Sequence, residues 1–335
     1  MGLKVCSDLG CPKNAAQCRA GVNFSVKMIM LLLSAVLFII QPAGGSSQHD
    51  QLVPNVIVVE KELQTAIEVP LRCGGEYEGM DISWRREGTP LPKRGNHINV
   101  TVEEMMGGNF TCHDSAGAVL NHQLLLVQLS RRDNDRRILE KTDGDYIKCL
   151  SRNYSGIFHC SWNWSPNRVG TVVHVSAQRS SNRDNITCTV DENESGITCL
   201  DQFQCSYAEE LDYITLSVHI RYMYRLEKYT SQFSISEIVK PDKVSITKLS
   251  GNTFEMEYPS TWSLPKSYFP LTFHIKVMPL RKGGDCSNEQ VQGSRTQNRT
   301  VSVGNRREFR LCVRAQDELC NSSWSDWSFY EVKRR

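Results

Sequence analysis

Polar and apolar residues alternate along most of this chain in short runs separated by turn residues. "IEVPLRC", "GNFTCHD", "VSITKL", "TFEMEY" and "LTFHIKVM" all carry a period of two. That period places successive side chains on opposite faces of a strand, and few stretches keep the 3.6-residue period of a helix. The pattern predicts an all-β chain of tandem sandwiches. In "FRLCVRAQD", Phe309, Leu311, Val313 and Ala315 share one face, while Arg310, Cys312 and Arg314 share the other. The apolar set must face a core, so the arginines line an outer face.

One long apolar run breaks the alternation, "MIMLLLSAVLFII" from Met28 to Ile40. It is too short to span a bilayer, which takes about 20 residues. Lys27 precedes it and the small residues of "QPAGGSS" follow, the pattern of a signal peptide cleaved after Gly45. Residues 1–27 are long for an n-region, so translation is expected to begin at Met28 or Met30, which sets Cys6, Cys11 and Cys18 aside. The expectation is a secreted, extracellular protein without a membrane span.

Secretion makes the cysteines a disulfide framework and the N-x-S/T sequons surface glycan sites. Cys73, then Trp84 eleven residues on, then Cys112 predicts an immunoglobulin-like sandwich with an inter-sheet bridge under an indole. Phe110 stands where a tyrosine corner would place Tyr. In "GDYIKCLSRNYSGIFHCSWNW", a two-residue turn at Tyr154-Ser155 places Cys149 opposite Cys160, within bridging reach. Cys188 and Cys199 are expected to clip a second hairpin, which leaves Cys205 without a local partner. Among Cys286, Cys312 and Cys320 the preferred pair is Cys312–Cys320, with Cys286 free or capped. Glycans are expected among Asn99, Asn109, Asn153, Asn185, Asn193, Asn298 and Asn321, and not at Asn163, wedged between Trp162 and Trp164.

"SRRDNDRR" and "IVKPDKV" read as connections, Pro241 being unable to join a central strand. The expected divisions are an N-terminal extension and signal peptide at 1–45, an immunoglobulin-like domain at 46–131, and two fibronectin type III domains at 132–240 and 241–335. In the last, "CNSSWSDWSFYEV" sets Trp324 and Trp327 in a serine frame beside the outer-face arginines. Trp324, Ser325, Trp327 and Ser328 with Arg310 and Arg314 are therefore expected to form an interleaved cation–π ladder, each contact worth roughly 0.5–2 kcal/mol.

Composition removes other classes. The net charge is +2 with 23% charged residues, too balanced for a nucleic-acid partner. The eight histidines form no H-E-x-x-H, and neither a G-x-S-x-G elbow nor a glycine-rich phosphate loop occurs, so neither an enzyme, a metal site nor a cofactor is expected.

Cys149-x10-Cys160-Ser161-Trp162 followed by Trp324-Ser325-Asp326-Trp327-Ser328 resembles the cytokine-binding module of class I cytokine receptors. With the leading immunoglobulin-like segment, "NYSGIFHC", "KPD", "YPSTWSLPKSYFPLTF" and "LCVRAQD", residues 51–335 resemble the interleukin-12 beta subunits. The resemblance implies a receptor-like chain that binds a four-helix alpha subunit, of interleukin-12 or interleukin-23 type, as a covalent heterodimer. It further implies a cell-surface cytokine receptor on T and NK cells as a second partner, and a homodimer as another assembly. Cys205 would be the cysteine bonded to the helical partner, and Asp317 the carboxylate that receives an arginine from it. Tyr268, Tyr154 and Glu209 match residues around that pocket. Leu319 departs from the aromatic residue expected there, and Arg281 and Lys282 alone are a thin basis for the family's heparin loop. The alternative is a soluble, non-signalling alpha receptor that holds a ready-made cytokine without a covalent bond.

Overall fold

Ile67–Arg72 pairs antiparallel with His97–Val102, so that Val69 meets Val100 and Leu71 meets Ile98, all four buried. Facing this layer is a sheet that includes Val56–Lys61, Ser83–Arg86, Thr89–Arg94, Gly108–His113 and Val119–Leu129. Cys73 and Cys112 bridge the layers with their Cα atoms 5.9 Å apart. Trp84 is buried beside them in the same core, its Nε1–H donating to the Gly95 carbonyl at 2.9 Å. Phe110 is buried too, with the Arg86 guanidinium 5.8 Å from its ring centre. The structure, a computed structural model, describes residues 50–62, 65–103, 105–129, 137–180, 186–202, 204, 212–263, 270–280, 285–318, 320 and 322–333.

The first sheet continues past residue 131. Arg225 and Leu226 pair in parallel with Val127 and Gln128, and the Val127 N–H donates to the Tyr224 carbonyl at 2.8 Å. The strands Arg225–Phe233, Ile214–Tyr222 and Thr171–Arg179 thereby join the same nine-stranded sheet. Val56, Leu126 and Leu226 bury one another at the crossing. Main-chain bonding and apolar burial together make this junction stiff rather than jointed.

Packed on the second part of that sheet is a four-stranded layer, ordered Lys148–Leu150, Ile157–Ser161, Gly196–Asp201, Ile186–Val190. Cys149 lies opposite Cys160 and Cys188 opposite Cys199, and both pairs are bridged at Cα separations of 4.0 and 4.1 Å. Each bridge closes a short loop, stabilising the fold by roughly 2–3 kcal/mol in the chain-entropy model.

The last unit has one sheet of Ser245–Lys248, Thr253–Glu257 and Thr300–Ser302, and another ordered Ser294–Thr296, Leu271–Met278, Phe309–Asp317, Ser328–Val332. Phe309, Leu311, Val313 and Ala315 are fully buried between them. Their core runs without a break into that of the preceding unit through Val244, Val239, Ile235, Tyr154 and Trp262. The connection at Pro241 is thus packed. The short helix before it, Ile235–Ile238, is fixed by a capping box between Ser234 and Glu237.

Candidate functional site

The turn after Lys148–Leu150 carries the second unit against the third. Gly156 has φ +85, and a Cβ there would stand 2.5 Å from the Asp201 carbonyl and 2.7 Å from the Gln204 Cβ. Only glycine lets the chain at 201–204 close on this turn. Within it, the Asn153 Nδ2–H donates to the Thr261 carbonyl at 2.6 Å while its Oδ1 accepts the Ser155 N–H at 2.9 Å. Tyr154 packs edge-on against Trp262 with ring centres 6.0 Å apart, and its hydroxyl donates to the Asp317 carboxylate. Arg152 pairs with Asp242 at 3.0 Å on the rim.

Asp317 closes the strand Phe309–Asp317 and is fully buried. Its N–H donates to Ser322 Oγ at 3.1 Å, and the Cys320 N–H approaches Oδ1 at 3.5 Å. Tyr154 and Asp317, far apart in sequence, thus meet inside the elbow rather than on its outer surface. Cys205, Glu209, Tyr268 and Leu319 lie outside the described residues, as do Arg281, Lys282 and residues 1–49.

The cysteines of the last unit differ from the expectation. Cys312 is bridged to Cys286, Cα atoms 5.7 Å apart, and Cys320 is disulfide-bonded elsewhere, to a cysteine outside the described residues. Cys312 does point to the outer face. The loop carrying Cys286 folds over that face and builds a satellite core with Met278, Val291 and Trp327, which buries Cys312 completely.

The ladder is present with different rungs. Arg314 lies between the indoles, 4.9 Å from Trp324 and 4.5 Å from Trp327. Arg295 covers Trp324 at 5.3 Å and Lys276 covers Trp327 at 5.0 Å. Arg310 was expected among them and is not. Its strand register sets it opposite Glu331, so it stacks on Phe329 at 5.0 Å and pairs with Glu331 at 2.6 Å. The serines explain the motif's composition. Ser325 exchanges two bonds with Ala315, its N–H donating to the carbonyl at 2.7 Å and its Oγ accepting the amide at 2.9 Å. Ser328 Oγ donates to the Val244 carbonyl at 2.6 Å. A hydroxyl on a short stem satisfies main-chain groups that would otherwise be buried unpaired.

His274 completes the ladder and is invisible to motif reading. Its ring centre is 5.5 Å from that of Trp324 and 5.2 Å from that of Trp327, and its Nδ1 accepts the Arg314 Nε–H at 3.2 Å. The signal for it is register. His274 pairs with Arg314 across Leu271–Met278, which puts it on the outer face. Burial, followed by the charges of Arg314, Lys276 and Arg295, pushes the imidazole down to about 4. An unfolded histidine takes its proton near 6.5. The unfolded chain therefore binds the extra proton first, and this contribution to stability, complete above about pH 6.5, is lost as the pH falls toward 4. His219, pushed down to about 4 by burial and then by Lys228 and His174, acts in the same window. The melting temperature should fall between pH 7 and pH 5, and His274→Gln should flatten part of that slope. An unchanged slope in the variant would contradict the charge balance described for the ladder.

Of the sequons, Asn99, Asn109, Asn193 and Asn298 are exposed, and Asn185 and Asn321 lie outside the described residues. Asn153 is buried with its amide nitrogen engaged, which leaves no room for a glycan in the folded chain. Asn163 is exposed, because strand alternation buries Trp162 and turns Asn163 outward. No helix among the described residues is long and apolar enough to cross a membrane.

Known proteins resemble this chain over most of its length. The family described as "Cytokine interleukin-12p40 C-terminus" matches residues 144–222. The interleukin-12 subunit beta of Mesocricetus auratus is 30% identical over 305 residues, covering 83% of this chain and 91% of that protein. The interleukin-12 subunit beta of Homo sapiens is 31% identical over 258 residues, covering 70% and 77%. That of Felis catus is 28% identical over 307 residues, covering 83% and 91%. These relatives are cytokine chains, not enzymes. With 30% identity to the Mesocricetus auratus protein over 83% of this chain, the chain belongs to the interleukin-12 beta subunit family.

Proposed function

We propose that this protein is the secreted, receptor-like half of a heterodimeric cytokine, and that it holds a four-helix alpha subunit at the elbow between its second and third units. The observation that carries this reading is the gathering of Tyr154, Asp317 and the chain at Gln204 around one turn. Gln204 packs on Gly156, two residues beyond Tyr154, whose hydroxyl bonds to Asp317. Cys205 supplies the interchain disulfide, and Asp317 receives an arginine from the partner, which joins or displaces the Tyr154 hydroxyl. Tyr268 and Glu209 are the further partner-binding residues that the family resemblance assigns. The continuous core across Pro241 supports the reading, because a preformed elbow spends little free energy on ordering when the partner docks. The assembled pair signals through cell-surface cytokine receptors on T and NK cells.

The test is co-expression with interleukin-12-type and interleukin-23-type alpha subunits, followed by non-reducing and reducing gels of the medium. A disulfide-linked pair that disappears in the Cys205→Ser variant is the expected result. A complex that forms without any covalent species in the native protein would favour the soluble alpha-receptor alternative. Retention of residues 1–27 on a cell-bound product would overturn secretion.

A further inference from the structure

Outside the elbow, the four-stranded layer of the second unit exposes an apolar strip. Ile157 is 47% exposed and Leu200 40%, and the two are direct cross-strand partners. Leu150, 42% exposed, sits on the adjoining strand opposite His159, the residue two along from Ile157. Side chains at such direct and diagonal positions touch one another on a sheet face. Their sequence neighbours Phe158 and Cys199 are buried, so the strip belongs to the outer face and contributes nothing to the core. Apolar residues exposed singly need no explanation, but three in register on one flat face do.

We infer that Leu150, Ile157 and Leu200 form a docking strip for the aliphatic stripe of an amphipathic helix on the alpha subunit. This rests on the reading that such a subunit binds at the elbow. Two observations favour that occupant. The strip is continuous with the elbow, since Ile157 follows Gly156 and Leu200 precedes the Asp201 carbonyl that lies against it. A partner held at the Tyr154 turn must therefore cover the strip or leave it as an exposed step at the edge of its own interface. Leu150 also floors a groove of about 420 Å³ rimmed by Arg152, Lys240, Asp242, Lys243 and Asp326. That rim carries one more cation than anion, which suits an aliphatic helix face flanked by carboxylates.

The experiment measures the dissociation constant of a purified interleukin-12-type alpha subunit for the Cys205→Ser protein carrying Ile157→Glu or Leu200→Glu. Each variant should bind at least tenfold more weakly, while Met223→Glu, 68% exposed in a distant turn, stays within twofold. Hydroxyl-radical footprinting of the unsubstituted complex supplies a readout that does not depend on how the variants fold, and should show Ile157 and Leu200 protected. If the parent binds and Asp317→Asn weakens it, yet both glutamate variants bind like the parent and neither side chain is protected, the strip is overturned while the elbow stands. If the parent binds no alpha subunit at all, both are overturned.

Discussion

Arg314→Ala should destabilise the isolated chain by about 2–4 kcal/mol, the largest loss expected from any single change on the outer face of the last sheet. The residue contacts both indoles and donates to His274, so its removal takes out two cation–π contacts and one hydrogen bond together. Its alkyl stem also packs between the rings, and that burial is lost as well. Lysine is a poor substitute, because a compact ammonium cannot stack on two planes and donate sideways to an imidazole. Arg310→Ala is the control. Arg310 contacts Phe329 and Glu331 at the edge of the sheet, away from the indoles, and should lose clearly less. Chemical denaturation of both variants checks this. Equal losses would mean that the ladder is not the element that stiffens the unit.

Much of the fold was legible because strand alternation is a local property. "FRLCVRAQD" assigns its own faces, and the buried set is the one its pattern requires. The two hairpin disulfides were legible for a related reason, since a turn position and an antiparallel register fix which residues face each other. The Cys286–Cys312 bridge was not. It depends on a loop folding back over an outer face, and nothing periodic in "LRKGGDC" announces that path. The continuity of the first and second units was hidden for a similar reason. Pairing of Arg225 with Val127 joins strands that are distant in sequence, and a polar connection such as "SRRDNDRR" carries no signal of it.

At the ladder, the sequence supplied the residue types and one correct cation, Arg314. The remaining rungs come from neighbouring strands whose pairing had to be known first. Once Leu271–Met278 is set beside Phe309–Asp317, His274 and Lys276 fall on the outer face with Arg314. Ser294–Thr296 then brings Arg295 to the far side of Trp324. Arg310 shares the face and the parity, and misses the indoles only because the register offers it Glu331. At the elbow, Tyr154 and Asp317 were named from resemblance. Their burial, and the bond between them, follows from a junction that no single segment encodes.

Asp317→Ala should weaken the non-covalent complex with the alpha subunit by about 2–5 kcal/mol, which is 30-fold or more. If an arginine of the partner is sealed into the elbow, removing the carboxylate leaves that cation buried without its counter-charge. An interchain disulfide at Cys205, as proposed, would mask the loss by holding the partner at high effective concentration, so the measurement belongs in the Cys205→Ser background. Alanine also removes the acceptor of the Tyr154 hydroxyl, which loosens the elbow for reasons unrelated to a partner. Two further variants separate these effects. Tyr154→Phe deletes the hydroxyl and keeps the charge, whereas Asp317→Asn keeps an acceptor and deletes the charge. The decisive measurement is the dissociation constant of the reduced complex for Cys205→Ser alone, with Tyr154→Phe, and with Asp317→Asn. A loss of 30-fold or more for Asp317→Asn beside less than threefold for Tyr154→Phe is the predicted result. A change below threefold for Asp317→Asn would contradict the account, leaving Asp317 as an internal tie of the elbow and recognition elsewhere on the chain.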